Sequence, residues 1–129
     1  MNRILSSVAA ALGAALLVPA LATSAQAATC SSGTFCLYYN SGLGGSRLTL
    51  NNSVSDLAGY KFTTDGAGEG QYVKNNAASA WNKTLCPVTV YFRSNYGGPW
   101  DSFGYNQSGN LVNTYNENAS VEFARTSCG

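Results

Sequence analysis

The chain contains no histidine. That excludes Ser-His-Asp and Cys-His relays and any histidine-held metal. Without Arg3 and the apolar stretch after it, the chain keeps six acidic side chains. A pair such as Asp101 and Glu122 is the minimum that glycoside hydrolysis needs, yet nothing around either sets it apart from a solvated surface carboxylate. The residues do not describe an enzyme. The remaining reactive side chains are Cys30, Cys36, Cys86 and Cys128. With no CxxC pair and no histidine, an even set of cysteines reads as two disulfides rather than a zinc site. Three connectivities are open. Only Ser31-Ser32-Gly33-Thr34-Phe35 separates the first two cysteines, and so short and flexible a stretch favours a local Cys30–Cys36 bond. Cys86 then pairs with Cys128. On the chain-entropy model the long loop is worth about 4 kcal/mol and the short one about 2–3 kcal/mol.

Disulfides need an oxidising compartment, and the N-terminus supplies the address. Arg3 precedes an apolar or small run from Ile4 to Val18, Pro19 breaks it, and Ala25-Gln26-Ala27 forms a small-x-small cleavage site. Residues 1–27 therefore read as a secretory signal peptide. The run falls short of the roughly 20 residues that a membrane span needs. Residues 28–129 remain as one exported domain. Arg3 leaves with the signal, so basic residues fall from seven to six against six acidic ones, and the formal charge is zero. With no basic stripe, neither nucleic acid nor an anionic membrane is the expected partner. Asn, Ser, Thr and Gly must carry the surface of what is expected to be a monomer.

The elements that position these residues are short strands between turn clusters. Strand signals lie at Phe35–Asn40, Arg47–Leu50, Tyr72–Lys74, Ser79–Trp81, Val88–Phe92, Trp100–Phe103, Leu111–Val112 and Ser120–Arg125. One helical turn is possible at Ser53–Tyr60, where Val54, Leu57 and Ala58 share a face. A pattern also repeats. Tyr38-Tyr39-Asn40-Ser41-Gly42-Leu43-Gly44-Gly45 and Tyr91-Phe92-Arg93-Ser94-Asn95-Tyr96-Gly97-Gly98 have one spacing, and Asn75…Ser79 and Asn116…Ser120 follow them. Two copies of one supersecondary unit are implied. The first copy is longer by twelve residues, placed in and around Thr63-Thr64-Asp65-Gly66-Ala67-Gly68-Glu69-Gly70. This segment is expected to be an exposed, mobile loop.

The repeat resembles the Greek-key motif of βγ-crystallins, in which an aromatic-x4-aromatic-x-Gly hairpin is covered by a later Ser. Tyr91, Tyr96, Gly98 and Ser120 match it fully; Tyr38, Gly45 and Ser79 match it with Leu43 in the second aromatic place. The resemblance implies an all-β sandwich of two Greek keys with eight short strands, key one at about 35–82 and key two at about 88–125. The export signal, the Cys-x5-Cys, the cysteine before key two and Asn75-Asn76-Ala77-Ala78-Ser79-Ala80-Trp81-Asn82 are together similar to a bacterial secreted peptidase-inhibitor family of this fold. Its founding member blocks thermolysin-like metallopeptidases through a loop at a disulfide between the keys. The matching residues here are Thr84, Leu85, Cys86 and Pro87. Pro87 departs from the pattern, because it puts an imino acid where such a cleft wants an N–H. Thr84–Leu85 is then the more substrate-like bond, with Leu85 filling an apolar pocket.

The same resemblance carries a calcium signature. Asn75, Asn76 and Ser79 keep most of it, and Asn116, Glu117 and Ser120 keep less. Ca²⁺ prefers several charged oxygens, so this nearly neutral set implies weak binding and no other cofactor. A further alternative is a glycan-binding, cell-wall-binding or antimicrobial surface built on Tyr39, Tyr60, Tyr105 and Tyr115 amid abundant Asn.

Overall fold

A computed structural model describes residues 29–128. The signal peptide read at 1–27 lies outside the described residues. Among the described residues seven strands run in chain order: β1 (Phe35–Asn40), β2 (Gly44–Leu50), β3 (Ser79–Asn82), β4 (Val88–Arg93), β5 (Gly97–Phe103), β6 (Ser108–Asn110) and β7 (Ser120–Phe123). They form two antiparallel sheets, ordered β2-β1-β3-β6 and β5-β4-β7. The strand β6 belongs by sequence to the second half but pairs with β3 of the first.

The reciprocal exchange supplies the eighth strand position. Val54 bridges Val121 of β7, with Val54 N–H donating to Val121 O at 2.8 Å and the return bond at 3.0 Å. Leu57 N–H to Ala119 O and Phe123 N–H to Ser53 Oγ continue the contact. The residues expected to form a helical turn at Ser53–Tyr60 therefore lie along a sheet edge. Tyr72–Lys74 is no strand; Tyr72 makes a single bridge to Lys61. The pairing expected at Leu111–Val112 sits three residues earlier, at β6, and Leu111 is buried beyond its end.

Alternation along the strands builds the core. Phe35, Leu37, Leu48 and Leu50 of one sheet meet Val88, Val90, Phe103, Val121 and Phe123 of the other. The Phe35 ring lies 6.1 Å from that of Phe103 and 6.3 Å from that of Phe123. Each such buried side chain contributes about 1.5–3 kcal/mol. A smaller cluster of Cys30, Cys36, Tyr38, Leu43 and Trp81 covers the outer face of β1. The bond Cys30–Cys36 sits in that cover, and Cys86–Cys128 joins the inter-key segment to the chain's end.

The repeated motif has one physical job in both keys. Gly45 (φ 76°) and Gly98 (φ 81°) occupy left-handed backbone where each hairpin folds over. A Cβ on Gly98 would lie 2.9 Å from Arg93 Nη1. Leu43 and Tyr96 are also left-handed, at φ 62° and 60°, a conformation that disfavours residues with a Cβ. A buried hydroxyl holds each one. Ser79 Oγ donates to Asn40 O at 2.6 Å and accepts from Leu43 N–H at 3.0 Å. Ser120 Oγ repeats this with Arg93 O at 2.6 Å and Tyr96 N–H at 3.0 Å.

The inserted segment 63–70 is largely exposed, as expected, but it is tied down rather than loose. Ser46 N–H donates to Ala67 O at 2.9 Å, Arg47 N–H to Thr64 Oγ1 at 2.9 Å, and Ser46 Oγ to Thr64 O. Gly68 lies against the Tyr39 ring so closely that a Cβ would be 2.2 Å from Tyr39 Cγ.

Candidate functional site

The segment joining the keys is held by a disulfide and a buried hydrogen-bond network. Asn82, wholly buried, ends β3 and organises it. Its amide donates to Cys86 O at 2.7 Å and Phe103 O at 2.8 Å, while its Oδ1 accepts from Thr84 N–H at 2.9 Å and Thr84 Oγ1 at 2.8 Å. Gly33 N–H to Lys83 O and Lys83 N–H to Thr34 O fasten the loop to the N-terminal turn. Leu85 N–H donates to Cys128 O at 2.8 Å, beside the Cys86–Cys128 bond.

This network sorts the four expected contact residues. Thr84 and Cys86 are wholly buried, whereas Leu85 is 65 % exposed and Pro87 is exposed. Thr84–Leu85 is therefore not offered as a substrate-like bond: its first side chain is inside and its N–H is already bonded. What the loop presents is the Leu85 side chain on a fixed backbone. Beside it, Ser32, Gly33, Lys83, Tyr105 and Asn106 complete an open cleft of about 330 Å³. Lys83 Nζ stands 4.9 Å over the Trp81 ring, and Trp81 Nε1 donates to Asn106 Oδ1 at 3.2 Å. Tyr105 joins the site from the turn between β5 and β6, a neighbour that spacing along the chain does not reveal.

The other candidates separate. Asp101 faces Val90 across the β5–β4 ladder and Glu122 faces Thr89 across the β4–β7 ladder. Opposed residues share a face and successive ones alternate, so the two carboxylates point to opposite sides of the sheet and form no catalytic pair. Asp101 instead accepts from Val112 N–H, Asn113 N–H, Thr114 N–H and Thr114 Oγ1. Glu122 accepts from the Tyr91 hydroxyl at 3.1 Å, and burial together with that carboxylate pushes the Tyr91 phenol up. The four tyrosines do not form one surface. Tyr105 lies by Leu85, Tyr39 is half-buried and shares a cleft with Tyr115, and Tyr60 lines neither.

The calcium candidates come together as facing loops. Asn75 N–H donates to Asn118 O at 2.8 Å and Asn116 N–H to Ala77 O at 2.9 Å. Buried Asn118, unmarked in the sequence reading, locks them by donating to Ala77 O and Thr114 O and accepting from Ala77 N–H. The donors do not fit a resident Ca²⁺. The Ser79 and Ser120 hydroxyls are committed to the hairpins, and the next positions are the core residues Ala80 and Val121. Among the described residues no three His, Cys, Asp or Glu side chains converge. Adding about 1 mM Ca²⁺ is expected to raise Tm by under about 1 °C; a rise of several degrees in differential scanning calorimetry would contradict this.

Comparison with known proteins places the geometry in a class and then in a family. A structure from work on the evolution of the eye-lens βγ-crystallin domain fold superposes with a TM-score of 0.60 at 12 % identity, covering 74 % of this chain and 90 % of that one. A βγ-crystallin from Ciona intestinalis gives 0.54 at 20 % identity, with 70 % and 99 % covered. The N-terminal domain of protein S gives 0.56 at 15 %, with 74 % and 99 % covered. The fold is thus the two-Greek-key βγ-crystallin type. A search of curated proteins finds no match. Residues 23–103 match the model of peptidase inhibitor family I36, and the chain belongs to that family. Membership points to a peptidase partner and away from catalysis. No helix among the described residues is long and apolar enough to cross a membrane.

Proposed function

We propose that this chain is a secreted, monomeric inhibitor of thermolysin-like metallopeptidases and that Leu85 is the side chain it inserts. The observation that carries the reading is a 65 % exposed leucine on a backbone held by a disulfide, the Asn82 amide and the Leu85 N–H bond to Cys128 O. Binding normally costs ordering of the contact loop; a loop already ordered keeps that free energy for affinity. An apolar primed-side pocket, the preference of thermolysin-like enzymes, suits leucine. The loop then resembles substrate in the side chain it presents rather than in a cleavable bond. With Thr84 buried and Pro87 lacking an N–H, the Leu85 wedge occupies the cleft without being processed.

The mature protein is expected to inhibit a thermolysin-like protease when present in micromolar excess, and Leu85→Ala to weaken inhibition about 10- to 100-fold, the equivalent of one leucine withdrawn from an apolar pocket. A fluorogenic-peptide assay measures this, with circular dichroism as a check on folding. Absence of inhibition by the parent protein, or a Leu85→Ala variant of unchanged potency, removes the reading.

A further inference from the structure

A second cleft lies at the other end of β1 from Leu85. Phe35, opposite Asn82, marks the inhibitory end, while Asn40 marks the cleft end. At about 3.3 Å per residue the two sites are on the order of 17 Å apart. The cleft holds about 460 Å³, within the roughly 300–1,000 Å³ of small-molecule sites.

Its lining carries no charged side chain. Tyr39 and Tyr115 supply aromatic surface, and Asn40, Ser41, Asn76 and Asn116 supply neutral donors and acceptors. No hydrogen bond among the described residues uses the side-chain amides of Asn40 or Asn116, and Asn76 commits only its N–H₂ group, to Tyr72 O. The walls are fixed beforehand. Tyr39 is wedged edge-on against Phe62, with ring centres 5.6 Å apart, and sits over Gly68. Ser79 pins Asn40 O, and Asn116 N–H is bonded to Ala77 O. A rigid, uncharged site of aromatic rings and amides suits a ligand with apolar C–H faces and many hydroxyls. It offers a cation no charge and an extended apolar ligand too many polar groups.

We infer that this cleft is a binding site for a neutral saccharide, which stacks a pyranose ring on Tyr39 or Tyr115 and pairs its hydroxyls with the asparagine amides. The inference is independent of the inhibitory reading, because the cleft and Leu85 lie at opposite ends of a strand. Saccharide and peptidase can be held together, so the site would retain the inhibitor on polysaccharide while Leu85 stays free.

The test is a ¹H–¹⁵N NMR titration of the mature protein with two neutral probes, N-acetylglucosamine trimer and maltotriose. Saturable shifts confined to residues 39–41, 76–78 and 115–116, with Kd of roughly 1–10 mM for either probe, are the expected result. Tyr115→Ala and Asn40→Ala are each expected to weaken binding by about tenfold. Trp100→Ala, an exposed aromatic elsewhere, and Leu85→Ala are expected to leave it unchanged. Tyr115 is half exposed, so its truncation leaves the core intact. No shift with either probe at about 20 mM, or shifts that persist in both cleft variants, overturns the proposal.

Discussion

Paired Cys86→Ser and Cys128→Ser substitution is expected to destabilise the domain by about 4 kcal/mol, the chain-entropy value for a loop of this length. For a domain of this size that lowers Tm by about 15–30 °C. The same change on Cys30 and Cys36 is expected to cost about 2–3 kcal/mol. The longer bond has a second effect. It holds Cys128, whose carbonyl accepts the Leu85 N–H, against the inter-key loop, so its loss frees the backbone under Leu85. Inhibitory potency is expected to fall in the Cys86/Cys128 pair at temperatures where the protein is still folded, and to survive in the Cys30/Cys36 pair. Thermal unfolding by circular dichroism, run beside the protease assay, reads both. Equal Tm values for the two double variants would show that loop length does not govern their stability.

Asn82→Ala is expected to cost about 3–5 kcal/mol although it removes only one small side chain. Truncation takes the Asn82 partner from buried Phe103 O and Thr84 N–H, and each unsatisfied group costs about 1–3 kcal/mol, while Thr84 Oγ1 keeps Cys86 O and Cys86 N–H. Cys86 O loses Asn82 but keeps Thr84 Oγ1 at 3.0 Å. Asn82→Asp separates shape from donation. The carboxylate still accepts from Thr84, but it cannot donate to the two carbonyls and it buries a charge. It is expected to be at least as damaging as alanine. Urea unfolding of the three proteins decides this; an aspartate variant as stable as the parent would show that the two donated bonds contribute little.

These two sites differ in how visible they are in the sequence. The cysteine pairing follows from spacing and an oxidising destination, and the hairpin folds follow from Gly45, Gly98, Ser79 and Ser120, because a left-handed turn and its covering hydroxyl are short-range requirements repeated at one spacing. The role of Asn82 is not written locally. Its partners include Phe103 O, which only the closing of the second sheet against the first brings near. The burial of Thr84 has the same origin, and it turned an expected substrate-like bond into a single exposed leucine. The Val54 bridge was hidden for another reason. Val54, Leu57 and Ala58 fall at a helical spacing, and a one-residue contact with Val121 leaves no period-two signal. The segment 63–70 looked loose because it is rich in glycine, yet Gly68 is what lets it lie beneath Tyr39.

The exchange of edge strands has a consequence for the order of events. A chain emerges N-terminus first from the ribosome or from an export channel. Its first half cannot finish either sheet alone, since β6 closes one and β7 receives Val54 in the other. The last partner of the long disulfide is Cys128, at the far end of the described chain. Neither sheet is therefore complete until β6 and β7 have both been released. The loop under Leu85 gains its Cys128 contacts only in that final step, so a chain still emerging carries Leu85 on a backbone without the disulfide and the bond to Cys128 O.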